Sequence, residues 1–407
     1  MASSTKLDCQ VDIAIAGGGM VGLTLAHALR QQVPQQHVAI IEQQPEQQPS
    51  VSFDSRSIAL AAASIRQLAE WQLWPSLASN ACAIQHIHVS DRGHFGKCYL
   101  AADSFGLKEL GAVLEVEHLG QVVQQQLKAA PADTLQWFQP DHITDLQTED
   151  DAVQLHLASG KRLSARLLVI CEGGVSPTRQ LAGFQSTQLG YQQTAVIANL
   201  ALDRPHQQRA FERFTEHGPI ALLPLNDQRY SLVWTTESNE AAHLMQLNDA
   251  DFTAAVQQAF GYRAGVFTRS GQRACYPLAL RQAESAVCHR IALAGNSLHS
   301  LHPIAGQGFN LALRDISALV AAVQQAPSAV GDYPMLRHYQ LARQQDMKQV
   351  MHFTDGLVRL FSNPSRLVAL GRNLGLLGML MCDELKQPLA QQAMGLQASA
   401  TRLATIK

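Results

Sequence analysis

The apolar positions near the start of the chain change period twice. Val11-Asp12-Ile13-Ala14-Ile15-Ala16 is short and almost continuously apolar, the pattern of a strand covered on both faces. Gly17, Gly18 and Gly19 break that run, Met20 to Arg30 carries helical spacing, and His37 to Ile41 is a second buried run. Strand, glycine turn, helix, strand is a βαβ unit and predicts the opening of a doubly wound sheet.

Farther on, Ser52 to Leu77 reads as polar and then helical, with Ile58, Ile65, Leu68 and Leu77 apolar. Ile84 to Leu100 alternates as strand does, around a turn at Asp91-Arg92-Gly93. Leu119 to Lys128 predicts a helix, Val153 to Ala165 a hairpin about Ser159-Gly160, and Arg166 to Ile170 a buried strand. Between Thr194 and Thr236 strand-like runs follow one another (199–202, 210–215, 221–225 and 230–234). Arg290 to Ala294 returns to a short buried strand, Gly308 to Gln324 to helix, and the chain from about Asp332 onward is helical. Together these predict an α/β fold: a Rossmann-like nucleotide-binding domain, an inserted, mainly antiparallel β substrate domain and a helical C-terminal region. The boundaries expected are 1-78, 111-180 and 285-330 for the first, 79-110 and 181-284 for the second and 331-407 for the third.

The 407 residues suffice for such an insertion, and 46% apolar against 16% charged residues is the balance of a folded chain, not of a disordered one. A net charge of -2 argues against nucleic acid as a partner. The seven cysteines are scattered without CxxC spacing, which points to free thiols in a reducing cytoplasm and away from a zinc site. His86 and His88 alternate on a strand-like run with no third ligand near them in sequence, so no metal is expected.

Gly17, Gly19 and Gly22 fit the GxGxxG turn, in which a helix N-terminus faces a pyrophosphate. Glu42 stands 20 residues after Gly22, at the end of the next predicted strand, close to the spacing of about 20 expected for an acid on the ribose hydroxyls. That turn alone serves FAD and NAD equally.

Three later segments decide between them. Phe53 to Leu60 (FDSRSIAL), Arg166 to Gly173 (RLLVICEG) and Gly295 to Asn310 (GNSLHSLHPIAGQGFN) resemble the class A flavoprotein monooxygenases, and within them the ubiquinone-biosynthesis hydroxylases, the group that includes 2-polyprenyl-6-methoxyphenol hydroxylase. His88 to Gly93 and Arg209 to Phe214 are similar to the same branch, and the resemblance runs almost end to end. It implies FAD, with NAD(P)H and O2 as co-substrates and a polyprenylated phenol as substrate. It also implies a ubiquinone-biosynthesis complex as a partner and a place in the cytoplasm or at the inner face of the membrane. Arg56 matches an arginine near the flavin. Glu172-Gly173 stands for the family's Asp-Gly, and Asn296 for an aspartate on the ribityl chain. Gly306, Gln307, Gly308 and Asn310 match the loop along the flavin ring, and Pro303 in the same segment joins the implied cofactor contacts.

A base for the phenolic proton is part of this chemistry, and His94, His217, His299 and His302 are candidates by residue type, unranked. Two readings stay open for Met351 to Met381, whose leucines are edged by Arg359, Arg366 and Arg372: a helix packed inward, or a face that meets membrane. Other functions on the same fold are a sibling hydroxylase acting at another ring carbon, a reductase or oxidase that inserts no oxygen, and a scaffold subunit.

Overall fold

The computed structural model describes residues 8–46, 53–129, 134–300 and 307–361, with 373, 375, 387, 391, 394 and 395. β1 (Cys9–Ala16), α1 (Met20–Gln32) and β2 (Val38–Ile41) form the expected βαβ unit, parallel from Ile13 opposite Val38 to Ala16 opposite Ile41. Ile13, Ala14 and Ile15 are fully buried. This strand has apolar cover on both faces, so its sequence shows no alternation.

The segment from 53 to 77 departs from the expected helix. It begins with a strand, β3 (Ser57–Ala61), and only then turns into α2 (Ala62–Glu70) and α3 (Trp74–Leu77). β3 is mostly half-buried and is held by a distant partner, β7 (Gly111–Glu115), which also pairs with β4 (Cys82–Ile84). A five-residue strand stabilised by a ladder that far away leaves little period of its own.

β5 (His86–Asp91) and β6 (Lys97–Ala101) form the hairpin read from the alternation. α4 (Val116–Lys128), β8 (Leu135–Phe138), β9 (Ile143–Thr148), β10 (Val153–Leu157) and β11 (Arg162–Ile170) complete this half. β10 and β11 are the predicted hairpin, with Gly160 at φ +86° in its turn, and β11 runs parallel to β1 from Leu163 opposite Cys9 to Ile170 opposite Ala16. The nucleotide-side sheet has the order β18-β19-β11-β1-β2-β8, where β18 (Val287–Cys288) and β19 (Ile291–Leu293) come from far along the chain.

After α5 (Pro177–Leu181) the chain builds a second sheet from β12 (Ser186–Leu202), β13 (Arg209–Thr215), β14 (Gly218–Leu225) and β15 (Arg229–Glu237). α6 (Ser238–Gln246) and α7 (Asp249–Phe260) then cover one face, before β16 (Phe267–Ser270) and β17 (Ala274–Ala283) rejoin it. Its order is β20-β17-β12-β15-β14-β13-β5-β6, and all its pairings are antiparallel except β13 with β5. β20 (His299–Ser300) pairs with β17 directly after the Gly295 loop, so this sheet is tied to the nucleotide half.

α8 (Gln307–Gln325) packs on α1, and α9 (Tyr333–Phe361) packs on α8. No described helix is long and apolar enough to cross a membrane. Of the stretch from Met351 to Met381, the backbone is helical to Phe361. Its arginine-edged face otherwise lies outside the described residues.

Candidate active site

The glycine turn is shaped by two kinds of close approach. A Cβ on Gly22 would lie 1.9 Å from the Gly17 carbonyl oxygen, so this position lets helix α1 close on the turn. Gly17 has φ +102°, and a Cβ there would stand 2.9 Å from the Cys171 carbonyl carbon, at the end of β11. Gly19 is different: its φ is −75° and a Cβ there would meet nothing within 4 Å. Protein atoms do not require a glycine at 19, whereas a pyrophosphate against the first turn of α1 does.

Glu42 follows β2 and lies over this turn. Its Oε2 accepts the Gly18 N–H at 2.6 Å, and its Oε1 the Gln44 N–H at 2.7 Å. The acid chosen by spacing is therefore held beside the phosphate-facing glycines, where ribose hydroxyls would reach it.

The two distant motifs converge on the same place. Ser297 accepts the Gly173 N–H at 3.1 Å and donates to the Gly173 carbonyl at 3.2 Å. Arg179, buried at the start of the second half, donates to Ser297 O and Gly174 O. A Cβ on Gly295, at φ +62°, would touch Val21 of α1 at 2.9 Å. Thus the loops at 17–22, 172–174 and 295–297 form one cradle, with Gly173 and Gly308 also opening onto free space. The donors, the glycine floor and the nearby acid fit a dinucleotide.

The other expected residues take varied places. The Glu172 carboxylate accepts from Ser176 Oγ at 2.7 Å, Thr178 Oγ1 at 2.5 Å and Thr178 N–H at 3.1 Å, so it ties down the start of α5 with both oxygens engaged. Arg56 and Asn296 expose their side chains. Asn310 is buried and clamps β3 to α8, accepting from Ala61 N–H and donating to Ala59 O, both at 2.8 Å. Gln307 and Gly308 begin α8. Pro303, Gly306 and His302 lie outside the described residues.

Of the histidines, His94 and His217 are exposed, the latter beside Glu216 and Glu237. His299 is buried against Asp315, Nε2 to Oδ2 2.8 Å. Asp315 was not among the expected site residues, yet it organises the Gly295 loop. It accepts from Gly295 N–H at 2.9 Å and from Arg343 Nε at 2.6 Å. Burial pushes its carboxyl up, but His299, Arg343 and these hydrogen bonds outweigh that and hold it below the ordinary aspartate value. The one sequence signal for it is a charged pair, Arg314-Asp315, set in an otherwise apolar helix.

Comparison with known proteins agrees with this geometry. Residues 10–354 match the family model for the FAD binding domain. The ubiquinone hydroxylase UbiL of Rhodospirillum rubrum is 36% identical over 95% of this chain and 90% of its own length. The 3-demethoxyubiquinol 3-hydroxylase of Escherichia coli is 32% identical over 95% and 98%. Among solved structures, the p-nitrophenol 4-monooxygenase PnpA of Pseudomonas putida superposes with TM-score 0.78 at 16% identity, covering 95% of this chain and 99% of its own, and so shares the fold. With a nucleotide cradle assembled from three distant loops and near full-length similarity to ring hydroxylases, the chain belongs to the FAD-binding family of flavoprotein monooxygenases, in the ubiquinone-biosynthesis hydroxylase group.

Proposed function

We propose that the protein uses FAD, NAD(P)H and O2 to hydroxylate the ring of a polyprenylated phenol in ubiquinone biosynthesis, converting a 2-polyprenyl-6-methoxyphenol to the 1,4-benzoquinol. The observation that carries this is the convergence of Gly17 to Gly22, Gly173 and Gly295 on one cradle, in a chain 36% identical to a ubiquinone hydroxylase along 95% of its length. The cradle would hold the ADP half through the Gly17–Gly22 amides and Glu42. Asn296 and the loop 303–308 would serve the flavin half, with α8 presenting its N-terminus to the ring. Arg56, exposed beside β3, would stand near the ring edge. Bound FAD supplies the activation of O2 once NAD(P)H has reduced it.

The rest is the work of this chain. Asp315, His299 and Arg343 fix the loop that carries Asn296. Asn310 fixes the strand that follows Arg56. The second sheet meets that segment through Asn199 and Arg229, and the apolar residues beside them would exclude water from the reacting ring. Glu172 acts on α5 and shapes the cradle from behind rather than reaching a nicotinamide. A prenylated substrate brings the protein to the inner face of the membrane as a peripheral component of a biosynthetic complex.

The E. coli relative's name points to another ring position, which supports hydroxylation at that carbon as a second reading. Purified protein should show a flavin spectrum and convert one of the two phenols with O2 uptake matched to product. Locating the new hydroxyl by NMR separates the two carbons. Uptake without hydroxylated product from either phenol would leave an oxidase.

A further inference from the structure

The second sheet has one row of residues that breaks its burial pattern. Ala274, Ile197, Val233, Ala221, Glu212 and Val89 lie side by side across β17, β12, β15, β14, β13 and β5. All six are half-buried. Their strand neighbours Val196, Leu232, Trp234, Ile220, Leu222, Phe211 and His88 point the other way and are buried, most of them under α6 and α7. On the row's own face, Ala195, Thr235 and Phe214 are buried on one side of it, and Asn199, Ser231 and Ala210 on the other. What remains half-buried on this face is that row, with Ile87 and Leu223 beside its Glu212 end, and we read it as a shallow apolar slot. Five inter-strand gaps of about 4.8 Å make it roughly 24 Å long.

The slot faces the nucleotide half. Asn199 on this face donates to Phe53 O at 2.7 Å and Ser55 O at 2.9 Å, immediately before Arg56. Arg229, also on this face, pairs with Glu115 of β7 at 3.0 Å. The slot is apolar except for Glu212, whose carboxylate has no hydrogen-bond partner among the described residues.

We propose that Glu212 is the general base of the hydroxylation, accepting the phenolic proton of a ring whose apolar tail lies along the slot. This role rests on the aromatic hydroxylase function proposed above. As oxygen is added to the ring carbon, the phenolic O–H becomes strongly acidic. That bond breaks, a carboxyl O–H forms on Glu212, and the freed electron pair delocalises into the ring. Loss of the C–H proton restores aromaticity, and the proton on Glu212 returns to solvent or product. The sum consumes O2, NAD(P)H and one proton and yields hydroxylated phenol, NAD(P)+ and water.

Desolvation pushes Glu212 up to about 7, close to the optimum for a base at neutral pH. The titratable groups on the same face of the flanking strands are Asp91 on β5 and Cys98 on β6; β14 has none. β4 and β7 bring Cys82, pushed up to about 11, and Glu115, which is paired with Arg229.

The test compares wild type with Glu212→Gln and Glu212→Asp on a short-chain 2-prenyl-6-methoxyphenol and on a fluorinated analogue already ionised at assay pH. On the ordinary phenol the wild-type rate should rise with pH along a limb near 7. Glu212→Gln should lose that limb and about 10²-fold in kcat, and Glu212→Asp should retain a limb. On the ionised analogue the wild-type limb should vanish and the glutamine variant should recover to within about tenfold. Without turnover, a prenylated nitrophenol bound to oxidised enzyme should ionise at lower pH in Glu212→Gln, because a neighbouring carboxylate opposes phenolate formation. An unchanged limb, equal losses on both phenols, or an unshifted nitrophenol titration would each overturn the role. If Glu212→Gln fails to fold, persistence of the wild-type limb on the ionised analogue overturns it. Wild type that hydroxylates no prenylated phenol removes the function itself, and this role with it.

Discussion

Gly19 and Gly22 are glycines for different reasons, and substitution separates them. In Gly22→Ala the new methyl group meets the Gly17 carbonyl oxygen at 1.9 Å, so the turn must distort and the protein should lose both stability and FAD. In Gly19→Ala the methyl points into open space, so thermal unfolding of the FAD-free protein should change by less than about 1 kcal/mol, while FAD affinity falls steeply. Calorimetry of the FAD-free protein with a flavin titration distinguishes the two. Glu212 gives a second contrast. Its folded value, about 7, lies above the ordinary glutamate value of about 4.3, so the folded state binds the extra proton. Its contribution is complete below about pH 4.3 and is lost as pH rises through 7. Wild type should therefore lose stability relative to Glu212→Gln between pH 5 and 8, the cost of keeping a base in an apolar slot; parallel melting curves across that range would contradict it.

At the scale of elements, the 295–299 loop, α8 and α9 are locked by one carboxylate. Asp315 on α8 holds the Gly295 amide, His299 at β20 and Arg343 on α9, and Arg343 continues to Asp346, which also takes Arg314. Asp315→Asn removes a fully buried charge from between His299 and Arg343 and should cost about 3–5 kcal/mol at neutral pH, measured by denaturant midpoint. Because the carboxyl is held below its ordinary value, this stabilisation is present above about pH 3.9 and fades as pH falls below it. The gap between wild type and variant should therefore narrow in acid. The same lock engages His299 through Nε2.

At the scale of the whole molecule, side-chain hydrogen bonds tie the second sheet to the β3–β7–β4 strands and the segment before them. Arg229 reaches Glu115 at 3.0 Å with side chains 12% and 15% exposed, and also the Phe53 carbonyl. A double-mutant cycle between Arg229→Met and Glu115→Gln should give a coupling of about 1–3 kcal/mol. A value near zero would leave that join to the Asn199 bonds with Phe53 and Ser55 and to packing.

The sequence by itself determined the βαβ opening, its glycine turn with Glu42, the β10–β11 hairpin and the strand-rich second layer. Each is written in local spacing: a period of 2 or 3.6, or glycines at fixed intervals. It also carried enough motif to place the chain among flavoprotein hydroxylases. Tertiary structure alone decided the rest. The short strand β3 forms because β7, more than fifty residues later, supplies its ladder. Glu172, expected at a cofactor, spends both oxygens on α5, because a carboxylate two residues past a strand end binds whichever donors the fold brings to it. Glu212 and Asp315 are acids with opposite fates, although each stands beside an arginine in the chain, Arg213 and Arg314. One faces an apolar slot with no hydrogen-bond partner among the described residues and is pushed up, and the other meets His299 and Arg343 and is held down. Such differences arise from desolvation and charge contacts between elements remote in sequence, which exist only once those elements have packed.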